Sequence, residues 1–274
     1  MQYKNKKNLY KILFITILLG FIISLAGCDW LSSGLLNIFD PQQSLQIKDV
    51  IVGENGIANI TVFSLNEVAS NITEFQFEYY NGSAKLSNYK RTVNIGSYYV
   101  APSSSPGTPG ADTTFSLILY SEDILKYVRD NYAYGAITCE LYIIGEDLAG
   151  HNINRKIPGK LPALGIDNTP PNAIINVVPE QGDCPLEVIF DGSSSNDGNG
   201  IGIAKYEWSV PQDFEFTLIS DNILVGSFPC NLITDSEEVV TVILTVTDYH
   251  GNEDTTAGAA TITNPDATGG GTCP

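Results

Sequence analysis

Short segments in which apolar and polar residues alternate make up most of the chain between residues 44 and 166. They are rich in β-branched and aromatic residues and are bounded by Gly, Asn, Ser and Pro, which is typical of β-strands. In chain order they read "LQIKDVIV", "IANITVFSL", "ITEFQFEYY", "YKRTVNIGSYYV", "TFSLILY" and "AITCELYIIG". The pattern predicts a domain built from short β-strands with polar turns between them.

One segment of this region has a helical pattern instead. In "SEDILKYVRDNY", residues 121–132, Ile124, Leu125 and Val128 fall on one helical face. Ser121 stands just before them, and serine is a favoured helix N-cap. We therefore predict one short helix in the first domain.

The alternation continues between residues 167 and 264. The positions expected to face inward are Leu186, Val188, Phe190, Ala204, Tyr206, Trp208, Val210, Val240, Val242, Leu244 and Val246, whereas Thr241, Thr245 and Thr247 are expected to face outward. A period of two repeated over about 95 residues, with a Trp on the third strand, describes an immunoglobulin-like sandwich. The predicted fold is all-β: two tandem immunoglobulin-like β-sandwich domains, 44–166 and 167–264, with "IPGKLPALGIDNTPP" as the linker and 265–274 as a flexible tail.

A short internal echo relates the two predicted domains. "LYIIGEDLAGHN" and "LTVTDYHGNE" both run from a strand into Asp, two further residues and Gly, so that Asp147–Gly150 matches Asp248–Gly251. Asp and Gly favour tight turns between antiparallel strands. We expect each segment to form the last hairpin of its domain, with His151 and His250 as solvated turn residues.

The N-terminus has the order of features found in secretory signals. Four lysines precede an apolar run of 16 residues, and "LAGC" at residues 25–28 resembles a bacterial lipobox. The resemblance implies a lipoprotein signal peptide at 1–27, a lipid with acyl chains such as palmitate on Cys28, and a tether at 28–43. The alternative is a transmembrane anchor, for which 16 residues is short. Either interpretation places the rest of the chain in the cell envelope, outside the cytoplasm.

Charge and cysteine content narrow the choice of partners. The chain has 14 Lys and Arg against 31 Asp and Glu, a net charge of −17 that becomes −21 once residues 1–27 and their four lysines are removed. Nucleic acid is therefore excluded as a partner, since it requires a basic surface.

In an exported chain Cys184 and Cys230 could form a disulfide. Cys139 shares a face with apolar neighbours and is predicted to be a buried free thiol, and Cys273 has no assigned role.

The segment "DGSSSNDGNGIG", residues 191–202, looks most like a ligand-binding loop. It fails the EF-hand spacing in two registers, and it lacks the third glycine of a dinucleotide loop. In a sandwich, this loop joins the second and third strands and lies at the same end as the last hairpin. Asp191, Asp197, Asp248, Asp167 and Asn168 should then gather at the end that faces the first domain. They are candidates for a calcium site; the alternative is that Asp and Ser only cap turns.

The second domain also resembles a known family. "FDGSSSND", then "YEW", then "LTVTDYHG" is similar to the polycystic-kidney-disease (PKD) domain, although "SVPQDF" at 209–214 replaces the family's usual turn after the Trp. The resemblance covers about a third of the chain. It implies an immunoglobulin-like sandwich, of which some family members bind calcium at the end described above.

No sequence motif for catalysis stands out. H-E-x-x-H, G-x-S-x-G and the P-loop are all missing, so we predict a protein that is not an enzyme and requires no cofactor, with calcium as the one candidate ion.

Paired tyrosines at 79–80 and 98–99 should each direct one ring outward, where it could stack on a sugar. We expect a membrane-anchored binding or spacer module for an envelope protein or polysaccharide. The alternative is an accessory carbohydrate-binding component of a secreted hydrolase system.

Overall fold

The computed structural model describes residues 44–267 as two β-sandwich domains in tandem. The predicted signal peptide, the lipidation site Cys28, all of the tether up to residue 43, and Cys273 lie outside the described residues. Among residues 44–267, helix length and hydropathy identify no membrane-spanning candidate. The all-β fold with two sandwiches and one short helix is as the sequence predicts.

The first domain pairs a sheet of three strands with a sheet of six. The strands are β1 (Leu45–Val52), β2 (Ile57–Ser64), β3 (Ser70–Asn81), β4 (Ala84–Lys85), β5 (Arg91–Val100), β6 (Thr113–Ile118), β7 (Ile137–Asp147), β8 (Asn152–Lys156) and β9 (Leu161–Pro162). The order β1-β2-β6 forms the small sheet. In the large sheet β3 pairs with β7 on one side and with β4 and β5 on the other, while β8 and β9 pair with the far side of β7. The predicted strands are all present, and β4, β8 and β9 are additional.

The helix α1 (Glu122–Asn131) closes this core as predicted. The Oγ of Ser121 accepts a hydrogen bond from the backbone N–H of Ile124, and Ile124, Leu125 and Val128 are buried. Cys139 is also buried and free, as expected, and burial raises the pKa of its thiol to about 12. It lies opposite Tyr79 on the neighbouring strand.

The segment interpreted as a linker is largely part of the first domain. Ile157, Leu161, Ala163 and Leu164 are all buried in its core, and the backbone of Leu161 pairs with Cys139. Residues 157–164 are therefore core residues of the first domain, whose predicted bounds of 44–166 include them, and do not form a free linker. Apolar residues interrupted by Pro and Gly look like a spacer in sequence, but here they cover the open edge of β7.

The second domain is a sandwich of two four-stranded sheets. Its strands are β10 (Asn176–Val178), β11 (Gln181–Asp183), β12 (Leu186–Asp191), β13 (Ile203–Ser209), β14 (Glu215–Ser220), β15 (Ile223–Phe228), β16 (Glu237–Asp248) and β17 (Glu253–Thr263). The sheet orders are β10-β12-β15-β14 and β11-β17-β16-β13. Cys184, just before β12, is joined by a disulfide to Cys230, just after β15, so the bridge lies at one end of the β12–β15 pair.

The inward faces of this domain follow the predicted alternation, with one exception. Val240, Val242, Leu244 and Val246 are buried along β16, whereas Thr241 is exposed. Thr247 was expected to face solvent, but it is only 3% exposed. Its cross-strand neighbour Lys205 lies over the ring of Tyr132 in the first domain, so this end of the sheet is covered. A contact between domains cannot be deduced from alternation within one strand.

Candidate metal centre at the domain junction

The last hairpin of each domain makes the same turn. In the first domain Oδ1 of Asp147 accepts hydrogen bonds from the backbone N–H groups of Ala149 and His151, both at 2.9 Å. In the second domain Oδ1 of Asp248 accepts from those of His250 and Asn252, at 2.7 and 2.9 Å. Such side-chain bonds to the following backbone are why Asp is favoured in turns.

The glycine of each turn has the backbone geometry that the turn requires. Gly150 has φ of 91° and Gly251 has φ of 88°, a region that residues with a side chain rarely adopt. The sequence similarity between the two segments therefore corresponds to the same turn in both domains.

The turn of the second domain is packed against the first domain. Tyr249 is 4% exposed within the first domain's core, and its hydroxyl accepts a hydrogen bond from the Arg129 guanidinium. The backbone N–H of Gly135 donates to the carbonyl of Tyr249 at 3.1 Å. These contacts place His250 and Asp248 at the junction between the two sandwiches.

Three buried aspartates meet beside this turn. Asp167 is 6% exposed, Asp197 is 9% exposed and Asp248 is fully buried. One ligand atom from each of Asp167, Asp248 and His250 lies within 4.8 Å of the others. A methyl group added to Gly200 would collide with Oδ2 of both Asp197 and Asp167, so these two oxygens lie on the same side of Gly200, close to each other.

Hydrogen bonds hold the loop that carries Asp197. The backbones of Asn172 and Asn196 pair as an isolated bridge. The Oγ of Ser195 accepts from the N–H of Ile174 at 3.0 Å and donates to its carbonyl at 3.1 Å. The loop is therefore fixed to the segment that leads into β10, and Asp197 follows directly after it.

Asp167 and Asp248 are also oriented by neighbours. Oδ1 of Asp167 accepts from the backbone N–H of Thr169 at 2.8 Å. The amide of Asn252 donates to Oδ2 of Asp248 at 2.8 Å and to the backbone carbonyl of Asp167 at 3.2 Å, which ties the hairpin to the interdomain segment. Both carboxylates therefore have one defined direction.

Two polar atoms in this cluster are buried without a partner. Within residues 44–267, Oδ1 of Asp197 and Nδ1 of His250 make no hydrogen bond. The other ring nitrogen of His250 lies 3.0 Å from the carbonyl oxygen of Leu164, a core residue of the first domain. Buried polar groups are nearly always paired, so these two atoms are the ones in the cluster that remain able to accept or bind a further group.

The charges of the cluster also favour a bound cation. Burial raises the pKa of the Asp197 carboxyl, and the negative charges of Asp248 and Asp167 raise it further, against the lowering effect of the N–H of Gly202. In the part of the chain that the structure describes, no Lys or Arg forms an ion pair with any of these three aspartates. Buried carboxylates without a counter-charge are costly, and a cation would remove that cost.

The structure brings together only part of the predicted ligand set. Asp167 and Asp248 come within ligand distance of each other, and Asp197 lies beside Asp167. Asp191 does not join them, because its Oδ1 accepts from the backbone N–H of Ser193. Hydrogen bonding from Ser193, first through its side chain and then through its backbone, lowers the pKa of the Asp191 carboxyl. Asn168 is exposed to solvent. Asp191 thus has the turn-capping role that was the alternative interpretation.

His250 is the residue that the sequence interpretation missed. Its position beside a glycine predicts a solvated turn residue, but it is half-buried and contacts the first domain through Leu164. The available signal was its position two residues after Asp248, at the sandwich end already expected to carry the site. His151 does not occupy the matching place: counting from each Asp, His151 corresponds to Asn252, and Ala149 corresponds to His250.

The paired tyrosines behave differently at the two positions. Tyr79 is buried, and Lys160 lies with its ammonium 3.6 Å from the centre of the Tyr80 ring. Tyr98 and Tyr99 are both exposed, at 49% and 54%, although only one of them was expected to be. Tyr98 packs the edge of its ring against Phe115, so it covers the core while remaining accessible.

No protein-family model and no curated protein matches this sequence. Solved structures with some likeness include murine CEACAM1b, at 12% identity and a TM-score of 0.26, covering 80% of this chain and all of that one. The protocadherin GammaB4 extracellular domain has 9% identity and a TM-score of 0.27, covering 80% of this chain and 43% of that one. At such scores the likeness carries no argument, and the assignment of two β-sandwiches rests on the sheets described above.

Proposed function

We propose that this protein is a lipid-anchored spacer and binding module of the cell envelope, whose second domain is of the PKD type. The single observation that carries the proposal is the packed junction, in which Tyr249 of the second domain is buried in the core of the first. A junction of this kind makes two sandwiches act as one rod. Through the lipid on Cys28, the rod would hold its far end at a fixed distance from the membrane.

Several contacts support a stiff junction. Arg129 donates to the Tyr249 hydroxyl, and its guanidinium carbon also lies 5.8 Å from the centre of that ring. Ile201, just before β13, and Ala204, within β13, pack against the first domain's core. Apolar packing combined with buried hydrogen bonds resists bending more than a solvated linker does. The surface acidity of the mature chain suits a soluble projection.

The experiment has two parts, one for each half of the proposal. Cys28→Ala should move the full chain from the detergent phase to the aqueous phase in a detergent separation, because it removes the lipid. Tyr249→Ala should make the segment 157–171 sensitive to limited proteolysis, whereas Tyr99→Ala, which removes an exposed ring, should not. Unchanged partitioning would refute the anchor, and unchanged protection of the segment would refute the stiff spacer.

A second candidate function rests on the two exposed tyrosines of β5. Tyr98 and Tyr99 offer accessible rings of the kind that stack on sugars. This favours an accessory carbohydrate-binding component of a secreted hydrolase system, the alternative drawn from the sequence. A glycan array with the full chain tests it: binding that is lost in Tyr99→Ala, but kept in Tyr249→Ala, would favour this function over a pure spacer.

A further inference from the structure

We propose that Asp167, Asp197, Asp248 and His250 bind one divalent transition-metal ion, for which Zn²⁺ is the representative probe. This inference does not depend on the proposed spacer role. It rests on ligand atoms of Asp167, Asp248 and His250 that already lie within 4.8 Å of one another, and on the two unpartnered buried atoms. Asp197 lies outside that group of three and approaches it beside Oδ2 of Asp167.

The ring of His250 is set up as a nitrogen ligand. A carbonyl oxygen only accepts hydrogen bonds, so the Nε2 that lies 3.0 Å from the Leu164 oxygen must carry the proton. In the neutral ring, Nδ1 then holds a lone pair, and Nδ1 is the buried atom that has no partner. Metal-binding histidines commonly donate their other ring N–H to a backbone carbonyl in this way, which fixes the tautomer and orients the ring.

The aspartates supply the remaining ligands. Asp248 and Asp167 are held by backbone and amide donors that leave each carboxylate able to accept further bonds. Asp197 brings Oδ1, for which the described residues provide no donor, although the residue is only 9% exposed. Three carboxylates around one divalent ion replace mutual repulsion by attraction, which explains how they can be buried together without Lys or Arg.

The nitrogen donor decides between classes of metal. Calcium, the ion expected from the sequence, takes six to eight oxygen ligands. Imidazole together with carboxylates suits zinc and other first-row transition ions, and zinc is satisfied by four ligands. The cluster offers three side chains with ligand atoms within 4.8 Å of one another, one of them an oriented imidazole, and Asp197 beside them as the fourth. The set therefore fits Zn²⁺ better than Ca²⁺.

The four ligands come from three separate parts of the chain. Asp167 lies between the domains, Asp197 lies in the β12–β13 loop, and Asp248 and His250 lie in the β16–β17 hairpin. His250 is in turn bonded to Leu164 of the first domain. An ion bound here would connect the interdomain segment to two loops of the second domain, so it would stabilise the junction as well as the site.

The test is calorimetric titration of the full chain, freed of metal with a chelator and kept in detergent, with Zn²⁺ and separately with Ca²⁺. We expect one Zn²⁺ to bind at the junction and to raise the melting temperature, because it binds only the folded state. Asp197→Asn, which keeps size and removes charge, should weaken zinc binding at least tenfold (an order-of-magnitude value for metal-site changes). His250→Gln should do the same while leaving an amide that can still donate to Leu164.

The matched control is His151→Gln, which changes the other hairpin histidine and should leave zinc binding unchanged. Three outcomes would overturn the inference: no zinc binding, zinc binding that His250→Gln leaves intact, or calcium binding tighter than zinc binding. The last of these would return the site to the all-oxygen class expected from the sequence. Because membrane partitioning and protease protection are measured separately, failure here is distinguishable from failure of the spacer proposal.

Discussion

The two domains end in the same turn but place it in different surroundings. Asp147 and Asp248 each accept two backbone hydrogen bonds through Oδ1, followed by a glycine of nearly identical φ. Asp147 has an imidazole beside it, with Nδ1 of His151 at 3.0 Å. Asp248 instead has the neutral amide of Asn252 and two further buried carboxylates nearby. The turn motif fixes the backbone, and the neighbours decide whether its carboxylate can serve a metal.

The two domains also differ in the state of their cysteines. The first domain buries a free thiol at Cys139 in the centre of its large sheet. The second domain has no free cysteine among its described residues and carries the Cys184–Cys230 disulfide at the edge of its core. The stability of the two domains should therefore respond to different chemical conditions.

Removing the disulfide should have the largest effect and should separate the domains most clearly. Cys184 and Cys230 are 46 residues apart, and a loop of this size contributes about 4 kcal/mol in the chain-entropy model. Replacing both cysteines by serine should lower the melting transition of the second domain more than that of the first, which loses only the packing of Tyr249 when its neighbour unfolds. Differential scanning calorimetry measures both transitions, and an unchanged second-domain transition would show that the bridge contributes little.

Replacing the turn aspartates tests whether the two turns differ in metal binding. Asp147→Ala and Asp248→Ala each leave two backbone N–H groups without their acceptor, at a cost of about 1–3 kcal/mol per unpaired group if it stays buried. We expect both variants to melt at a lower temperature without metal. Only Asp248→Ala should also lose the zinc-dependent rise in melting temperature. Equal responses to zinc in the two variants would mean that the two turns are not functionally different.

Alkaline pH should weaken the first domain. Burial raises the pKa of Cys139 from 9.0 to about 12, and burial is also the main cause that raises that of Tyr79 from 10.0 to about 12. A raised pKa in the folded state gives stability that is fully present below the unfolded pKa and is lost as pH rises towards 12. The Cys139 contribution should fall by about 1.4 kcal/mol between neutral pH and pH 10.

Denaturant unfolding of the full chain and of Cys139→Ala, measured from pH 7 to pH 11, checks this alkaline loss. The variant should have the shallower pH dependence in its first-domain transition, whatever constant offset the smaller side chain adds. Parallel curves would place the ionising group elsewhere. The second-domain transition supplies the internal control, because that domain does not contain Cys139 and its pH dependence should be the same in both proteins.

The smallest predicted effect concerns the imidazole of the first turn. His151 is partly exposed and pairs with Asp147, so its replacement by Gln should cost less than about 1 kcal/mol. The zinc response should stay as it is in the unchanged protein. A large loss of stability on calorimetry would show that the imidazole, and not the two backbone bonds, holds the first turn.

Much of the fold could be predicted from local pattern. The strands of the first domain, the Ser121-capped helix and the buried row along β16 follow from periodicity and capping. The short strands β8 and β9 could not be found, since they are too brief to show alternation. Residues 157–164 look like a linker in sequence because Pro and Gly hide the fact that Ile157 and Leu164 are buried.

The local sequence pattern predicts only part of the candidate site. Sandwich topology placed Asp167, Asp197 and Asp248 at one end, and that was enough to bring them together. Side-chain direction decided the rest: Asp191 turns back to cap Ser193, and His250 turns towards Leu164 of the other domain. Such directions depend on packing between domains, about which the spacing of residues along one strand carries no information.

The most direct measurement is anomalous scattering at the zinc absorption edge from crystals of the full chain grown with Zn²⁺. We predict one peak at the junction, within about 2.1 Å of Nδ1 of His250 and in contact with carboxylate oxygens of Asp167, Asp197 and Asp248. We predict no peak at the matching turn formed by Asp147 and His151. A peak at the first turn alone, or no peak at the junction, would contradict the claim that the surroundings of the second turn make it a metal site.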